Sequence, residues 1–74
     1  MAALRPLKLR QVLSVLNKLG FKKVSQKGSH AKFSHTDGRI TTVPMHSGEL
    51  IGRGLLRKII KDSKLSKDEF LEML

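Results

Sequence analysis

Apolar residues along the chain change their spacing three times, and each change marks an element. Leu9, Val12, Leu13, Leu16 and Leu19 recur at intervals of three and four, while Lys8, Arg10, Gln11, Asn17 and Lys18 fall largely between them. This is one face of a helix. Pro6 is read as its opening, since the N–H that proline lacks has no partner in a first turn anyway, and Gly20 as its left-handed close. Phe21 to Lys27 mixes apolar and basic residues around Val24 and breaks at Lys27-Gly28. Ser29 to Ser34 then alternates, with Ser29, Ala31 and Phe33 on one side and His30, Lys32 and Ser34 on the other. His35-Thr36-Asp37-Gly38 reads as a turn, and the β-branched run Ile40 to Val43 as a third strand ending at Pro44. The first and third of these strands do not alternate cleanly, so their faces stay unassigned.

Met45 to Arg53 is expected to be a connector, with Gly48 and Gly52 as breakers. Leu55, Leu56, Ile59 and Ile60 form the apolar face of a second helix, opposite Arg57, Lys58 and Lys61, with Gly54 as its expected N-cap. Ser66-Lys67-Asp68-Glu69 has the form of a capping box opening a short last helix, with Phe70, Leu71 and Leu74 turned inward. The predicted architecture is α+β: helix, three-stranded antiparallel sheet, helix, short C-terminal helix, read as one domain over residues 1–74. Two helices with one apolar face each cover only one side of such a sheet, leaving the other to water. If Ala31 and Phe33 belong to the core, His30, Lys32 and Ser34 belong to the open side.

Charge changes the picture next. The 74 residues hold 15 Lys and Arg against 6 Asp and Glu, a net +9. The excess is concentrated: Arg5, Lys8, Arg10, Lys18, Lys22, Lys23, Lys27 and Lys32 precede Thr36 with no acid among them. A one-signed surface of this kind attracts polyanions, either nucleic acid or an acidic protein that imitates it. With 39% apolar residues the chain is too hydrophobic for a disordered basic tail. It has no cysteine, hence no disulfide framework or thiolate zinc site. No apolar run has the length of a membrane span or a signal peptide, and the reducing cytoplasm is the expected location.

The candidate chemistry lies in Lys27-Gly28-Ser29-His30-Ala31-Lys32. The three histidines, at 30, 35 and 46, match no metal-ligand spacing with the scattered acids, and there is no phosphate-binding glycine loop or nucleophile elbow. RNA carries its own nucleophile, the 2′-hydroxyl. A nuclease that works by internal attack therefore needs only proton transfer and a cation to stabilise the phosphorane, with no metal. Imidazole suits the proton steps. His30 is thus the candidate catalytic residue. Lys27, Gly28, Ser29, Lys32 and Lys22 are the candidate RNA and phosphate-binding residues. An idle surface position for His30 and an ordinary hairpin turn at Gly28-Ser29 fit the same letters. His35 is expected to be merely solvated, and His46, two residues past Pro44, has no assigned task.

Leu19-Gly20-Phe21, Gly28-Ser29-His30 with Phe33, Thr42-Val43-Pro44-x-His46, Gly54-Leu55-Leu56-Arg57-Lys58-Ile59-Ile60 and Leu65-Ser66-x-x-x-Phe70 occur in an order and spacing that resembles the HicA (YcfA-like) toxin family. The resemblance implies an mRNA interferase toxin of a toxin–antitoxin system with a double-stranded-RNA-binding-domain-like fold. It implies His30 as the single catalytic histidine, no cofactor, and neutralisation by a HicB-type antitoxin that covers the His30 face. The toxin alone is expected to be monomeric. Gly54 stands where a capping Thr or Ser is common in the family, and Ser63 or Lys64 where a glycine usually precedes Leu65. The reading from another class is a non-catalytic RNA-binding module on the same fold. A third is an adaptor whose basic face serves only an acidic protein.

Overall fold

The computed structural model describes residues 3–46, 48 and 50–74. In chain order the elements are β1 (Leu7–Lys8), α1 (Leu9–Leu19), β2 (Lys22–Lys27), β3 (His30–Ser34), β4 (Ile40–Pro44), β5 (Leu50–Ile51), α2 (Arg53–Asp62) and α3 (Lys67–Glu72). Strands β2, β3 and β4 form the expected antiparallel three-stranded sheet in the order β2-β3-β4. α1 and α2 both pack on the side presented by Ala31, Phe33 and Val43, and the core they close also takes in Phe21, Ile51 and Phe70. The α+β fold predicted from the pattern is the one observed.

A second, two-stranded sheet was not foreseen. Leu7 pairs with Ile51 and Lys8 with Leu50, antiparallel. The chain therefore enters α1 from a strand, not from a proline-led first turn, and Pro6 lies before the helix. Lys8 occupies the N-cap, where the Gln11 side chain accepts a hydrogen bond from the Lys8 backbone N–H at 2.9 Å. The expected connector from Met45 to Arg53 likewise contains β5. A two-residue strand leaves no period to detect, and each of these exists only because the other lies beside it.

Helix ends differ from expectation in two places. The N-cap of α2 is Gly52, so Gly54 lies inside the first turn. Leu74 is exposed, although Phe70 beside it in α3 is fully buried. The Ser66 capping box forms as read: Ser66 Oγ accepts from the Glu69 N–H at 3.1 Å, and Glu69 Oε1 accepts from the Ser66 N–H at 2.8 Å.

Candidate functional site

The face that carries the candidate residues is set by the alternation in β3. Ala31 and Phe33 are buried; His30 and Lys32 are exposed and Ser34 partly so, on the side that neither α1 nor α2 covers. Register supplies the neighbours. On the β2 side Lys27 pairs with His30, Ser25 with Lys32, and Lys22 with Ser34. On the β4 side Pro44 pairs with His30, Thr42 with Lys32, and Ile40 with Ser34. In an antiparallel sheet paired residues share a face, with Cβ atoms about 4.5–5.5 Å apart. The open side therefore presents His30 between Lys27 and Pro44, and Lys32 between Ser25 and Thr42.

β2 keeps this arrangement only through a register shift between Lys23 and Ser25. The extra residue, Val24, is left 58% exposed at the irregularity. Without the shift, strict alternation would put Lys27 and Lys22 on opposite faces; with it, both join His30's side. Lys23 and Gln26 take the other side, opposite Phe33 and Ala31, where Lys23 Nζ donates to Gln26 Oε1 at 2.9 Å.

Gly28 and Ser29 make the two-residue connection between Lys27 and His30, with φ +59° at Gly28. A positive φ at this turn position favours glycine. Gln26 Nε2 donates to the Gly28 carbonyl at 3.0 Å and braces the turn. No heavy atom lies within 4 Å of where a Cβ would stand on Gly28, so the space above the turn is open.

His30, Lys27, Lys32, Gly28 and Ser29 thus converge at one end of the sheet. Lys22 shares the face but stands opposite Ser34, four residues along β3 from His30, a separation of roughly 13 Å at about 3.3 Å per residue. Lys22 therefore stands apart from the group around His30. Ser25 and Thr42, which flank Lys32, were not picked out from the sequence. Thr41 and Thr42 are identical letters, and only the register tells that Thr41 is buried while Thr42 is exposed.

His35 is not the solvated turn residue expected. It is half-buried, its ring edge-on to Phe21 at 5.4 Å between centroids. Its Nδ1 accepts from the Asp37 backbone N–H at 3.1 Å, which leaves Nε2 to donate to the Leu19 carbonyl at 3.0 Å. Both ring nitrogens are committed to holding the β3–β4 turn against the end of α1. Beside it Asp37 accepts from the Arg39 backbone N–H at 3.0 Å and from Arg39 Nε at 2.8 Å. That backbone bond first, and the Arg39 charge with it, hold the Asp37 carboxyl below the usual carboxylate range. His46 is exposed, just past the end of β4. Among the described residues no group of three or more His, Cys, Asp or Glu side chains could hold a metal ion.

One helix pair on a single face of a three-stranded sheet, with a cationic open side, defines a class: α+β proteins of double-stranded-RNA-binding-domain type. Within it the chain belongs to the HicA toxin family, described as HicA toxin of bacterial toxin-antitoxin, whose family model matches residues 9–65. That stretch includes β2, β3, β4 and the whole Lys27 to Lys32 segment. Membership makes the protein a toxin of a toxin–antitoxin module and gives it an antitoxin as partner. No curated protein matches the chain. Among the described residues no helix is long and apolar enough to cross a membrane.

Proposed function

We propose that this toxin is a metal-independent endoribonuclease that cleaves mRNA in the cytoplasm, with His30 as its catalytic base. The observation that carries the reading is an exposed imidazole on the open face of the sheet, paired across β2 with Lys27 and followed two residues on by Lys32. His30 withdraws the proton of a ribose 2′-hydroxyl, and the alkoxide attacks the adjacent phosphorus. Lys27 and Lys32 stabilise the charge that grows on the phosphorane oxygens. The bond from phosphorus to the 5′-oxygen breaks, giving a 2′,3′-cyclic phosphate and a 5′-hydroxyl.

In-line attack needs a flexible backbone, so single-stranded or unpaired stretches are the substrate. Phe21, Phe33 and Phe70, the chain's three aromatic residues, are all buried, so the face has no platform on which bases could stack. Recognition is therefore mainly electrostatic and only weakly selective for sequence. The antitoxin, of HicB type, neutralises the toxin by covering the His30 face.

The test is incubation of wild type and His30→Ala with an unstructured RNA in EDTA. Wild type should cleave. His30→Ala should be slower by about 10²–10⁴-fold while melting as wild type does, because the side chain is exposed. RNA binding with no cleavage by either protein would establish the non-catalytic module instead. An absence of RNA binding at moderate salt would leave only the adaptor.

A further inference from the structure

A single base leaves the reaction half equipped, since the departing 5′-oxygen also needs a proton. We propose that His46 is the group that donates it; this rests on the ribonuclease reading above.

Three observations lead there. The Met45 N–H donates to the Ser29 carbonyl, which continues the β3–β4 ladder one pair beyond the end of β4. Met45 packs against the core, whereas His46 after it is exposed. With Pro44 opposite His30, Met45 is opposite Ser29 and His46 is the next residue beyond. Carried on in that register, His46 takes the position diagonal to His30, where ladder neighbours lie about 7–8 Å apart. Second, the Gly28-Ser29 turn lies between His30 and the Met45 bond to Ser29, and no heavy atom stands within 4 Å of where a Cβ on Gly28 would be. Third, of the chain's three histidines His35 is engaged at both ring nitrogens, which leaves His46 as the second candidate beside His30.

The separation fits the chemistry. Attacking and leaving oxygens occupy opposite apices of the phosphorane, so base and acid must approach from opposite sides, each within about 3 Å of its oxygen. Two imidazoles on diagonal positions bracket one phosphate in this way. A lysine ammonium holds its proton too firmly near neutral pH to match an imidazole in this role.

The step balances. The 2′-oxygen gives its proton to His30 and forms the new bond to phosphorus. The bond to the 5′-oxygen breaks, and that oxygen takes the proton of protonated His46. The enzyme leaves the step with His30 protonated and His46 neutral, and exchange with water resets both.

The experiment compares two short oligoribonucleotides with one cleavable linkage each, identical except that the second has sulfur in place of the bridging 5′-oxygen. A thiolate leaves without protonation, so the sulfur substrate has no use for the acid. His46→Ala should cleave the oxygen substrate about 10²–10⁴-fold more slowly than wild type and the sulfur substrate at close to the wild-type rate. His30→Ala should be slow on both. His46→Asn, measured alongside with its melting curve and RNA affinity, should behave as His46→Ala does. Equal slowing of His46→Ala on the two substrates, or no slowing on either, would overturn the assignment. Wild type that cleaves neither would instead defeat the ribonuclease reading, and this inference with it.

Discussion

Lys64 and Gly20 close two helices in the same manner at different cost. After α1 the Gly20 N–H reaches the Asn17 carbonyl at 3.0 Å and the Phe21 N–H the Leu16 carbonyl at 2.9 Å. After α2 the Lys64 N–H reaches Lys61 at 3.0 Å and the Leu65 N–H reaches Ile60 at 3.5 Å. Both are Schellman closures, whose residue past the cap is left-handed: Gly20 has φ +98° and Lys64 has φ +60°. Glycine bears that conformation freely, whereas a residue with a Cβ loses about 1–2 kcal/mol there. Lys64 therefore sits at a strained position. Lys64→Gly should raise stability by about 1 kcal/mol, read from the denaturant midpoint at unchanged slope. Gly20→Ala should do the reverse, for an added Cβ would also stand 3.1 Å from His35 Nε2. Acid should expose Asp37. Its carboxyl titrates below the usual range in the fold, mainly through the Arg39 N–H, so its contribution is complete above about pH 4 and is lost as pH falls through the lowered folded value. Glu69, lowered chiefly by the Ser66 N–H, adds to the same trend. Melting temperature measured against pH should fall on that acid side.

Elements were legible in the sequence in proportion to their length and to how much of their bonding is internal. α1 shows its leucine and valine face because eleven residues hold three turns. β3 shows its faces because Ala31 and Phe33 alternate with polar neighbours. The capping box of α3 is a local arrangement of Ser66 and Glu69, and Ser66→Ala should cost about 1 kcal/mol, measured by thermal unfolding. β1 and β5 were invisible, since each is a two-residue segment defined by its partner. The faces of β2 could not be assigned because the bulge at Val24 switches them partway along. In β4, Thr41 can be buried opposite Phe33 because its hydroxyl donates to Asp62 Oδ2 at 3.0 Å, a contact with the end of α2 that composition does not reveal. The site divides the same way. His30 and Lys32 were placed by alternation in their own strand, while the joining of Lys27 to them, and of Ser25 and Thr42 around Lys32, needed the register.

At the scale of the molecule, one side of the sheet is committed to the core and the other is left open to solvent. Phe33, on the committed side, should cost about 3–5 kcal/mol when cut to alanine, and calorimetry or denaturant unfolding would register it as a large loss for a chain of 74 residues. Lys27→Ala, on the other side, should leave unfolding unchanged and make the plot of log affinity for single-stranded RNA against log salt shallower by about 0.7. Together the two substitutions separate the faces. The helix–sheet–helix order, the faces of Ala31, Phe33 and His30 in β3, and the concentration of positive charge in the first half could all be read from the letters. These follow from local spacing and from counting. Register and packing were needed to learn that Lys27 stands across from His30, that His35 is tied between α1 and a turn, and that Met45, next to His46, bonds to Ser29. Each of these is a meeting of residues distant along the chain, and it is fixed by strand register and packing, which no local pattern encodes.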